Sequence, residues 1–374
     1  MASRSRPEAR DAFAPRGAAT GPRGGRGLRI AILVDQVAEL EAAAGDPSAL
    51  VHSTGNVQAA IRSLGHQPIM VEMQAGKPME WVRRLVSEDF DLAFNLCESV
   101  AGRSAGEHLA AASVELLGIP LTGARSTTLL YCHNKDHCNA RLRAHGFAVP
   151  DWRLVHALDG PPTDWGIYPA IVKPAAEDGS NGVHASSVVE SAEDLAATVE
   201  RLGKMWKRLL LQEFVVGREI NLAVVGRYLL PPAEIDFGGL PPGSPPIVSY
   251  EAKWQSGSPE DLGTRPICPA PLPAAEVEEL QLLAARAWRL LDGGGYGRVD
   301  VRLRANGEPA VIDVNPNPDL SPDAGLARQA RAAGWSYEQL IDRIVEVALA
   351  PASDPSADDF IPLKARPAGR ERYE

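Results

Sequence analysis

The chain has 374 residues and a formal net charge of −10, with 45% hydrophobic and 23% charged residues. This composition is that of a globular protein and excludes wholesale disorder, and the length permits two or three domains with their own cores. The negative charge disfavours binding to nucleic acid or to an anionic membrane surface, so an anionic ligand requires a local group of cations.

The two ends of the chain differ in composition from the rest. Residues 1–27 are rich in Arg, Gly, Ala and Pro and predict a disordered tail, and residues 351–374 predict a loose C-terminal tail. No apolar run reaches the roughly 18 residues expected of a membrane span. The four cysteines are too few for a disulfide framework, which indicates a reducing compartment and a cytoplasmic location.

An N-terminal α/β domain is predicted over residues 28–122. Near-continuous apolar segments, typical of buried parallel strands, occur at residues 28–34, 68–71 and 91–96. Helices are predicted at residues 56–64, 78–86 and 105–117. This alternation indicates an open parallel sheet whose ligands lie beyond the carboxyl ends of the strands, and residues 95–107 occupy such an end.

Two further units follow, a central subdomain over residues 123–208 and a C-terminal subdomain over residues 209–350. Their predicted elements are a helix at 135–144, a strand at 168–173, a helix at 192–202, strands at 209–215, 219–225 and 233–237, a helix at 274–291, a hairpin at 297–315 and a helix at 337–349. The predicted fold class is therefore α/β, with α+β character in its second half.

The hairpin at residues 297–315 carries the strongest chemical signal. Asn306-Gly307 is the preferred centre of a two-residue turn, and the flanking segments alternate polar and apolar residues. Because side chains in strands alternate between faces, counting outward from this centre puts four polar side chains on one face. They form two facing pairs, Asp300 with Asp313 and Arg298 with Asn315.

Two facing carboxylates repel each other strongly. At a separation of roughly 5 Å and an effective dielectric near 20, the repulsion is about 3 kcal/mol, against a total stability of roughly 5–15 kcal/mol. A cation relieves this repulsion, and the oxygens of Asp300, Asp313 and Asn315 suit Mg²⁺, which takes its other ligands from water and phosphates. In the alternative, Arg298 or Arg302 simply neutralises an exposed acidic pair.

A loop of small residues follows the apolar strand that ends at Lys173. Its Gly179, Ser180 and Gly182 predict exposed backbone amides that wrap phosphate oxygens, with Lys173 as a point charge. The glycine spacing matches neither a Walker loop nor a dinucleotide fingerprint. An ordinary surface turn is the alternative interpretation.

Two later segments supply further candidates for nucleotide binding. The extended segment 212–215 can pair with the edge of adenine, and a carboxylate just past the following glycine turn can accept ribose hydroxyls. For Glu213 and Arg218, the alternative is ordinary solvated charge. In the polar segment 250–257, Lys253 predicts the cation of a mobile lid.

Taken in order, these segments resemble the ATP-grasp superfamily, and most closely its D-alanine–D-alanine ligase-like branch, over residues 28–349. The motifs that carry the resemblance are Gly118-Ile119-Pro120-Leu121-Thr122-Gly123, Asn134-Lys135, Val172-Lys173-Pro174, Gly217-Arg218-Glu219, Tyr250-Glu251-Ala252-Lys253, Gly297-Arg298-Val299-Asp300 and Asp313-Val314-Asn315. The resemblance implies an ATP-grasp architecture, in which an N-terminal open-sheet domain precedes two α+β subdomains that enclose ATP.

The resemblance also implies a role for each candidate residue. The residues implied to contact the phosphates of ATP are Lys135, Lys173, Gly179, Ser180, Gly182 and Lys253. Adenine is implied to contact Gln212 and Val215, and ribose is implied to contact Glu219. Two Mg²⁺ ions, with Mn²⁺ as an alternative, are implied to bind to Asp300, Asp313 and Asn315. Arg298, Lys253 and Ser180 are the catalytic candidates, and Arg298 would stabilise the oxyanion of the tetrahedral intermediate.

The chain departs from dipeptide-forming ligases where those enzymes bind amino acids. It lacks the His-Gly pair that follows the residue corresponding to Asn95, and it has Ala324-Gly325 in place of the Ser-Leu pair that holds the acceptor's carboxylate. A substrate other than D-alanine is therefore expected. The residues predicted to contact it, at the strand-end crevice, are Glu98, Arg103 and Glu107. For each of them, an ordinary polar loop residue is the alternative interpretation.

The expected function is an ATP-dependent ligase that activates a small-molecule carboxylate as an acyl phosphate and passes it to an amine, releasing ADP and phosphate. No nucleic acid or membrane partner is expected, and the expected assembly is a homodimer. Two alternatives stay open. One is a phosphotransferase of the same fold, which needs a general base not located in the sequence, and the other is a non-catalytic module that binds ATP.

Overall fold

The computed structural model describes residues 27–35, 49–74, 76–350 and 359–366. Three β-sheets, with helices packed against them, make up this part of the chain. The predicted tail at residues 1–27 lies almost wholly outside the described residues, and so does most of the predicted tail at residues 351–374.

The first sheet is the predicted open parallel sheet. Its strands, in the spatial order β2-β1-β3, are β1 (Arg29–Asp35), β2 (Gln67–Met73) and β3 (Leu92–Asn95). Its helices are α1 (Ala49–Ser63), α2 (Pro78–Ser87) and α3 (Glu107–Leu116). The apolar centre of β1 is fully buried, because helices cover the faces of a parallel sheet.

The second sheet is antiparallel and has the spatial order β4-β7-β5-β6. Its strands are β4 (Trp152–His156), β5 (Ala170–Pro174), β6 (Val188–Val189) and β7 (Arg208–Glu213). The helices of this region are α4 (Ser126–His133), α5 (Lys135–Ala144) and α6 (Ala192–Gly203). The predicted subdomain boundary at residue 209 falls inside β7, which pairs with β4 and β5 and so belongs to the central unit.

The third sheet has seven strands and contains the predicted hairpin. Its path is β11-β10-β8-β12-β13, with β9 beside β8 and β14 beside β9. The strands are β8 (Arg218–Val225), β9 (Tyr228–Leu229), β10 (Ala233–Asp236), β11 (Arg265–Ile267), β12 (Tyr296–Leu303), β13 (Pro309–Asn315) and β14 (Ile361–Pro362). The helices are α7 (Tyr250–Trp254), α8 (Pro259–Gly263), α9 (Ala274–Leu290), α10 (Gly325–Ala332) and α11 (Tyr337–Leu349).

Strand β14 lies in the segment predicted as a loose tail. It pairs in parallel with β9, and Phe360 just before it is buried in the core that includes α9. The prediction is wrong for residues 359–366. A strand of two residues is too short to show the alternation by which strands are recognised in a sequence.

The third sheet packs on α9 through Trp288, whose side chain is fully buried. A Cβ atom on Gly297 would lie only 2.2 Å from the Trp288 indole, so glycine is required at this position of β12. The glycine that opens the Gly297-Arg298-Val299-Asp300 motif thus lets the helix approach the strand that carries the predicted polar face.

Candidate active site

The facing carboxylates predicted from the hairpin are present. Asp300 of β12 pairs with Asp313 of β13, and Arg298 pairs with Asn315. All four residues line one cleft with a volume of about 490 Å³. This volume lies within the range of roughly 300–1,000 Å³ that is usual for small-molecule sites.

The predicted register is right because two errors in the count cancel. The amide of Arg304 donates to the carbonyl of Glu308 at 2.9 Å, so the loop holds three residues rather than two, with Gly307 at φ 83°. A β-bulge at Ile312 then adds one residue to β13 and restores the pairing beyond it. Both Ile312 and Asp313 consequently line the cleft.

Each of the two carboxylates has a cationic partner. Asp300 accepts hydrogen bonds from the guanidinium of Arg298 at 2.7 and 2.9 Å, and from the amide of Asn221 at 2.8 Å. Asp313 accepts from the ammonium of Lys135 at 3.2 and 3.3 Å. Arg298 therefore neutralises Asp300, but Asp300 is buried, whereas the alternative raised by the sequence concerned an exposed acidic pair.

Lys135, the first residue of α5, connects the hairpin to the loop after β5. Its ammonium lies 3.0 Å from Asp178 in addition to its contacts with Asp313. Burial opposes the charge of Lys135, but the two carboxylates outweigh it and raise the pKa of the ammonium. Burial likewise opposes the charge of Asp178, and Lys135 together with His133, 3.1 Å away, lowers the pKa of that carboxyl below its usual range.

The cleft brings together nearly all of the predicted site residues. Those that line it are Lys135, Lys173, Gly179, Ser180, Gln212, Val215, Glu219, Lys253, Arg298, Asp300, Asp313 and Asn315. Lys173 lies on β5 of the second sheet, and burial lowers the pKa of its ammonium to about 8. The second and third sheets thus both contribute to the wall of the cleft, each with lysine or arginine side chains.

The loop after β5 has the left-handed backbone that its glycines predict. Gly179 at φ 63° and Ser180 at φ 61° line the cleft. Gly182 differs, since it is buried and a Cβ atom there would lie 2.8 Å from Pro174 and from Trp206. Gly182 thus packs beneath the loop and is not among the residues that line the cleft, so its contact with the phosphates stays a prediction.

The predicted lid is a short helix, α7, rather than a loop. It rests on the loop after β5. The indole Nε1 of Trp254 donates to the carbonyl of Gly179 at 2.8 Å, and the hydroxyl of Ser180 donates to the carbonyl of Val248 at 2.8 Å. The ammonium of Lys253 lies over the Trp254 ring, 5.1 Å from its centre. These contacts hold the lid lysine against the cleft.

The pocket predicted for the base is held together by Arg302. The guanidinium donates to Glu219 at 2.8 and 3.2 Å, to the carbonyl of Val215 at 3.1 Å, and to the carbonyl of Pro246. It also lies over the ring of Phe214, 4.7 Å from the ring centre. Arg302 is buried and lines the cleft, so it neutralises Glu219 rather than the metal-face carboxylates.

The remaining polar residues near this pocket fall into two groups. Gln212 is 2% exposed, and its Nε2 has no hydrogen-bond partner among the described residues. Glu213 pairs with Arg304, and Arg218 pairs with Glu234. These two ion pairs are partly exposed to solvent, and Glu213 also lines the cleft, whereas Arg218 does not.

A second cavity of about 50 Å³ adjoins the cleft at the carboxyl end of the first sheet. Glu98, the lid residues Lys253 and Trp254, and Asn317 and Asp319 from the segment after β13 line it. Burial raises the pKa of Glu98 to about 7, a rise that Lys253 opposes and Asp319 reinforces. The cavity thus combines two carboxyl groups with one cation from the lid.

The other two predicted substrate contacts lie outside both cavities. Arg103 is exposed. Glu107 is buried and accepts a hydrogen bond from Asn317 at 2.9 Å, and burial raises the pKa of its carboxyl well above the ordinary value. Glu107 also has ligand atoms within 4.8 Å of those of His133 and Asp178, a spacing compatible with a metal ion. Of the three predicted contacts, only Glu98 lines a cavity.

Several residues of the site were missed in the sequence. Asn221 contacts Asp300 because β8 pairs with β12, which no local pattern reveals. Asp178 could have been identified as a candidate, because it lies within the small-residue loop that was predicted to bind phosphate. Asp319 could also have been identified, because an acidic residue follows the metal motif closely.

The comparisons with known proteins bear on this geometry. Residues 146–346, more than half of the chain, match the family described as the D-ala D-ala ligase C-terminus. The chain belongs to the D-alanine–D-alanine ligase family. The predicted class, an ATP-dependent ligase that forms an amide bond, is the class of this family, so that prediction is confirmed.

Individual relatives agree with the family match. A D-alanine–D-alanine ligase from Nitratidesulfovibrio vulgaris (strain Hildenborough) is 30% identical over 254 residues, which cover 67% of this chain and 79% of the relative. A D-alanine–D-alanine ligase from Synechococcus sp. (strain JA-3-3Ab) is 26% identical and covers 78% of this chain and 86% of its own length.

Solved structures establish the fold. The D-alanine–D-alanine ligase from Bacillus anthracis complexed with ATP has a TM-score of 0.67 at 20% identity, covering 86% of this chain and 97% of that chain. The VanG D-Ala:D-Ser ligase from Enterococcus faecalis has a TM-score of 0.67 at 18% identity, covering 86% and 100%. The predicted ATP-grasp architecture is confirmed. Within the described ranges, no helix is both long and apolar enough to cross a membrane.

Proposed function

We propose that this ligase activates a small-molecule carboxylate as an acyl phosphate and joins it to an amine, with release of ADP and phosphate. The observation that carries the proposal is the pair of facing carboxylates, Asp300 and Asp313, in a cleft also lined by Lys135 and Lys173. Such a face, with two lysines in the same cleft, suits a triphosphate and its divalent cations.

The donor set fits Mg²⁺. Asp300, Asp313 and Asn315 offer oxygen ligands only and face the same cleft, and we propose that they hold two ions, for which Mn²⁺ can substitute. When bound, the ions neutralise charge on the triphosphate. Arg298 and Lys135, which balance the two carboxylates in the structure, then have their positive charge available for substrate oxygens.

The protein's own groups position and shield the reactants. Lys135, Lys173 and the amides of Gly179 and Ser180 orient the phosphates of ATP in this proposal, and Lys253 reaches the γ-phosphate from the lid. The substrate carboxylate attacks that phosphate and forms the acyl phosphate. The amine then attacks the acyl carbon, where Arg298 stabilises the oxyanion before phosphate departs.

The same proposal assigns contacts to the adenine base and the ribose of ATP. Gln212 and Val215 meet adenine, and Glu219 accepts the ribose hydroxyls through the carboxylate oxygen that Arg302 leaves free. The resting contacts of Trp254 and Ser180 support a lid that closes over this site and excludes water, which protects an acyl phosphate from hydrolysis.

The second cavity is proposed to hold one end of a substrate. Glu98 and Asp319 there favour a ligand that carries an ammonium group, and a volume of about 50 Å³ suits a small head group. Because Ala324-Gly325 replaces the Ser-Leu pair of dipeptide-forming ligases, the proposed substrate pair is not two D-alanines. Both substrates are small molecules, and neither nucleic acid nor a membrane takes part.

The proposed cellular location and assembly are those expected from the sequence. No disulfide joins any of the four cysteines, all of which are among the described residues, in keeping with the proposed cytoplasmic location. The proposal also keeps the homodimer as the assembly, and sedimentation equilibrium of the full chain tests it. A single species with the mass of one chain would contradict the dimer without touching the chemistry.

Trapping of the intermediate tests the proposed reaction. The full chain is incubated with Mg·ATP, hydroxylamine and panels of amino acids and small acids, and both ADP and hydroxamate are measured. A carboxylate that triggers ADP release should yield a hydroxamate in equal amount, because hydroxylamine intercepts an acyl phosphate. ADP release with a phosphorylated product that resists hydroxylamine would instead indicate a phosphotransferase.

A further inference from the structure

Arg302 places a permanently charged group that only donates hydrogen bonds in the wall of the base pocket. A guanidinium has five N–H groups. Four are used here, by Glu219, by the carbonyl of Pro246 and by the carbonyl of Val215. The second hydrogen of Nη1 has no partner in the part of the chain that the structure describes.

The unused N–H lies beside the group that is proposed to read the base. Its nitrogen is 3.1 Å from the carbonyl of Val215, the last residue of the segment 212–215. Arg302, Val215 and Gln212 all line the same cleft. The Val215 carbonyl accepts one hydrogen bond from Arg302 and keeps its second lone pair, so this edge of the pocket offers an N–H donor beside an acceptor.

Gln212 can adapt to either kind of base. Its side chain is 2% exposed and its Nε2 has no partner within the described ranges. A glutamine amide can turn over and present either its oxygen or its nitrogen. A guanidinium has no acceptor to present, so Arg302 always supplies a donor at this edge, while Gln212 adapts to the base that binds.

The purines differ in what they offer at position 6. Adenine carries an amino group there, which donates hydrogen bonds, whereas guanine carries an oxygen, which accepts them. Hypoxanthine carries the same oxygen. A hydrogen bond in which one partner is charged contributes about 1.5–3 kcal/mol, roughly tenfold or more in affinity. An oxygen at position 6 can therefore accept a hydrogen bond from Arg302, and an amino group there can donate to the Val215 carbonyl.

We propose that Arg302 is a specificity-determining residue that makes the base pocket accept purine triphosphates with an oxygen at position 6, such as ITP and GTP, in addition to ATP. This inference rests on the proposed function, because it takes the segment 212–215 as the base-binding edge. It extends that function from ATP alone to a wider set of phosphate donors.

Calorimetric titration of the full chain with Mg·ATP and Mg·ITP tests the inference, since these nucleotides differ at position 6. Wild-type protein should bind ITP no more than about threefold more weakly than ATP. In Arg302→Met and Arg302→Lys, the ratio of the ITP to the ATP dissociation constant should rise by more than about threefold, towards the tenfold expected for a charged hydrogen bond.

The two variants and a control separate specificity from stability. Arg302→Met leaves the buried carboxylate of Glu219 without its cation, which can prevent folding. Arg302→Lys keeps a cation for Glu219 but lacks the fork that reaches Val215, and circular dichroism checks its fold. Arg218→Met is the control, because Arg218 pairs with Glu234 at the surface and does not line the cleft. Its ratio should equal that of the wild type.

Three results would overturn the inference. In the first, the wild-type protein binds ATP but binds ITP more than about threefold more weakly than ATP. In the second, the ratio of the ITP to the ATP dissociation constant is unchanged in every folded Arg302 variant. Either of them leaves the proposed ligase intact. The third is failure of both nucleotides to bind to the wild type, which removes the proposed function together with the inference.

Discussion

The nucleotide cleft and the second cavity are assembled in different ways. Most of the polar groups of the cleft stand on or at the ends of the paired strands β5, β7, β8, β12 and β13, whose register fixes which side chains face each other. The second cavity is lined by Glu98 just after β3, by the lid helix α7 and by the segment after β13. In this molecule, strand geometry sets the reaction centre, whereas connecting segments set what reaches it.

Asp313→Ala should have the largest effect, because it removes one of the two facing carboxylates from the reaction centre. We expect ADP release to fall by about a thousandfold or more, which corresponds to roughly 4 kcal/mol of barrier. The fold should persist, since Lys135 retains Asp178 as a partner. Asp164→Ala, at an exposed ion pair that does not line the cleft, is the control. Undiminished ADP release in Asp313→Ala would remove the metal assignment.

Lys253→Met probes one of the two residues, with Asp319, that line both regions. Lys253 lines both the cleft and the second cavity, so its loss should lower kcat by about a hundredfold through the lost stabilisation of charge at the γ-phosphate. The affinity for ATP, measured by titration, should change less than kcat. A variant with weakened ATP binding and an unchanged kcat would show that Lys253 contributes to ATP binding and not to catalysis.

Glu98 tests the second cavity through pH. With a pKa of about 7, its carboxyl is neutral below this pH and anionic above it. If it binds a substrate ammonium, KM for that substrate should fall by up to about tenfold as the pH rises from 6 to 8. Glu98→Gln should abolish this dependence while kcat at saturation stays close to the wild-type value. A pH profile that is the same in both proteins would exclude Glu98 from substrate binding.

Trp254→Phe should have the smallest effect of the four. It keeps an aromatic ring beside Lys253 but removes the hydrogen bond to the carbonyl of Gly179. The loss of one neutral hydrogen bond of about 1 kcal/mol should lower kcat about fivefold and allow some hydrolysis of ATP without product. The ratio of ADP released to product formed measures this leak, and a ratio of one would show that the bond is not needed for closure.

The part of the site that depends on strand periodicity could be predicted. The alternation in the hairpin gave the face with Asp300 and Asp313, although the three-residue loop and the bulge at Ile312 both escaped the count. Bulges and loop types depend on how a strand fits its neighbours, and a single strand's sequence does not contain that information. The same reason explains Asn221, which faces Asp300 through the pairing of β8 with β12.

Long-range contacts explain most of the other differences. Gly182 belongs to the predicted phosphate loop, yet it packs on Pro174 and Trp206, and only the folded loop distinguishes it from Gly179. The hydrogen bonds of Arg302 join residues that are 56 to 87 positions apart in the chain. Charge and spacing identify candidates, and the tertiary packing then decides which carboxylate each cation neutralises.

Anomalous diffraction from crystals of the full chain grown with Mn²⁺ and ADP tests the central claim most directly. The account predicts Mn²⁺ between Asp300, Asp313 and Asn315, in contact with the nucleotide phosphates, with Lys173 on the opposite side of those phosphates. Mn²⁺ bound instead by Glu107, His133 and Asp178, with no metal at the hairpin, would contradict it.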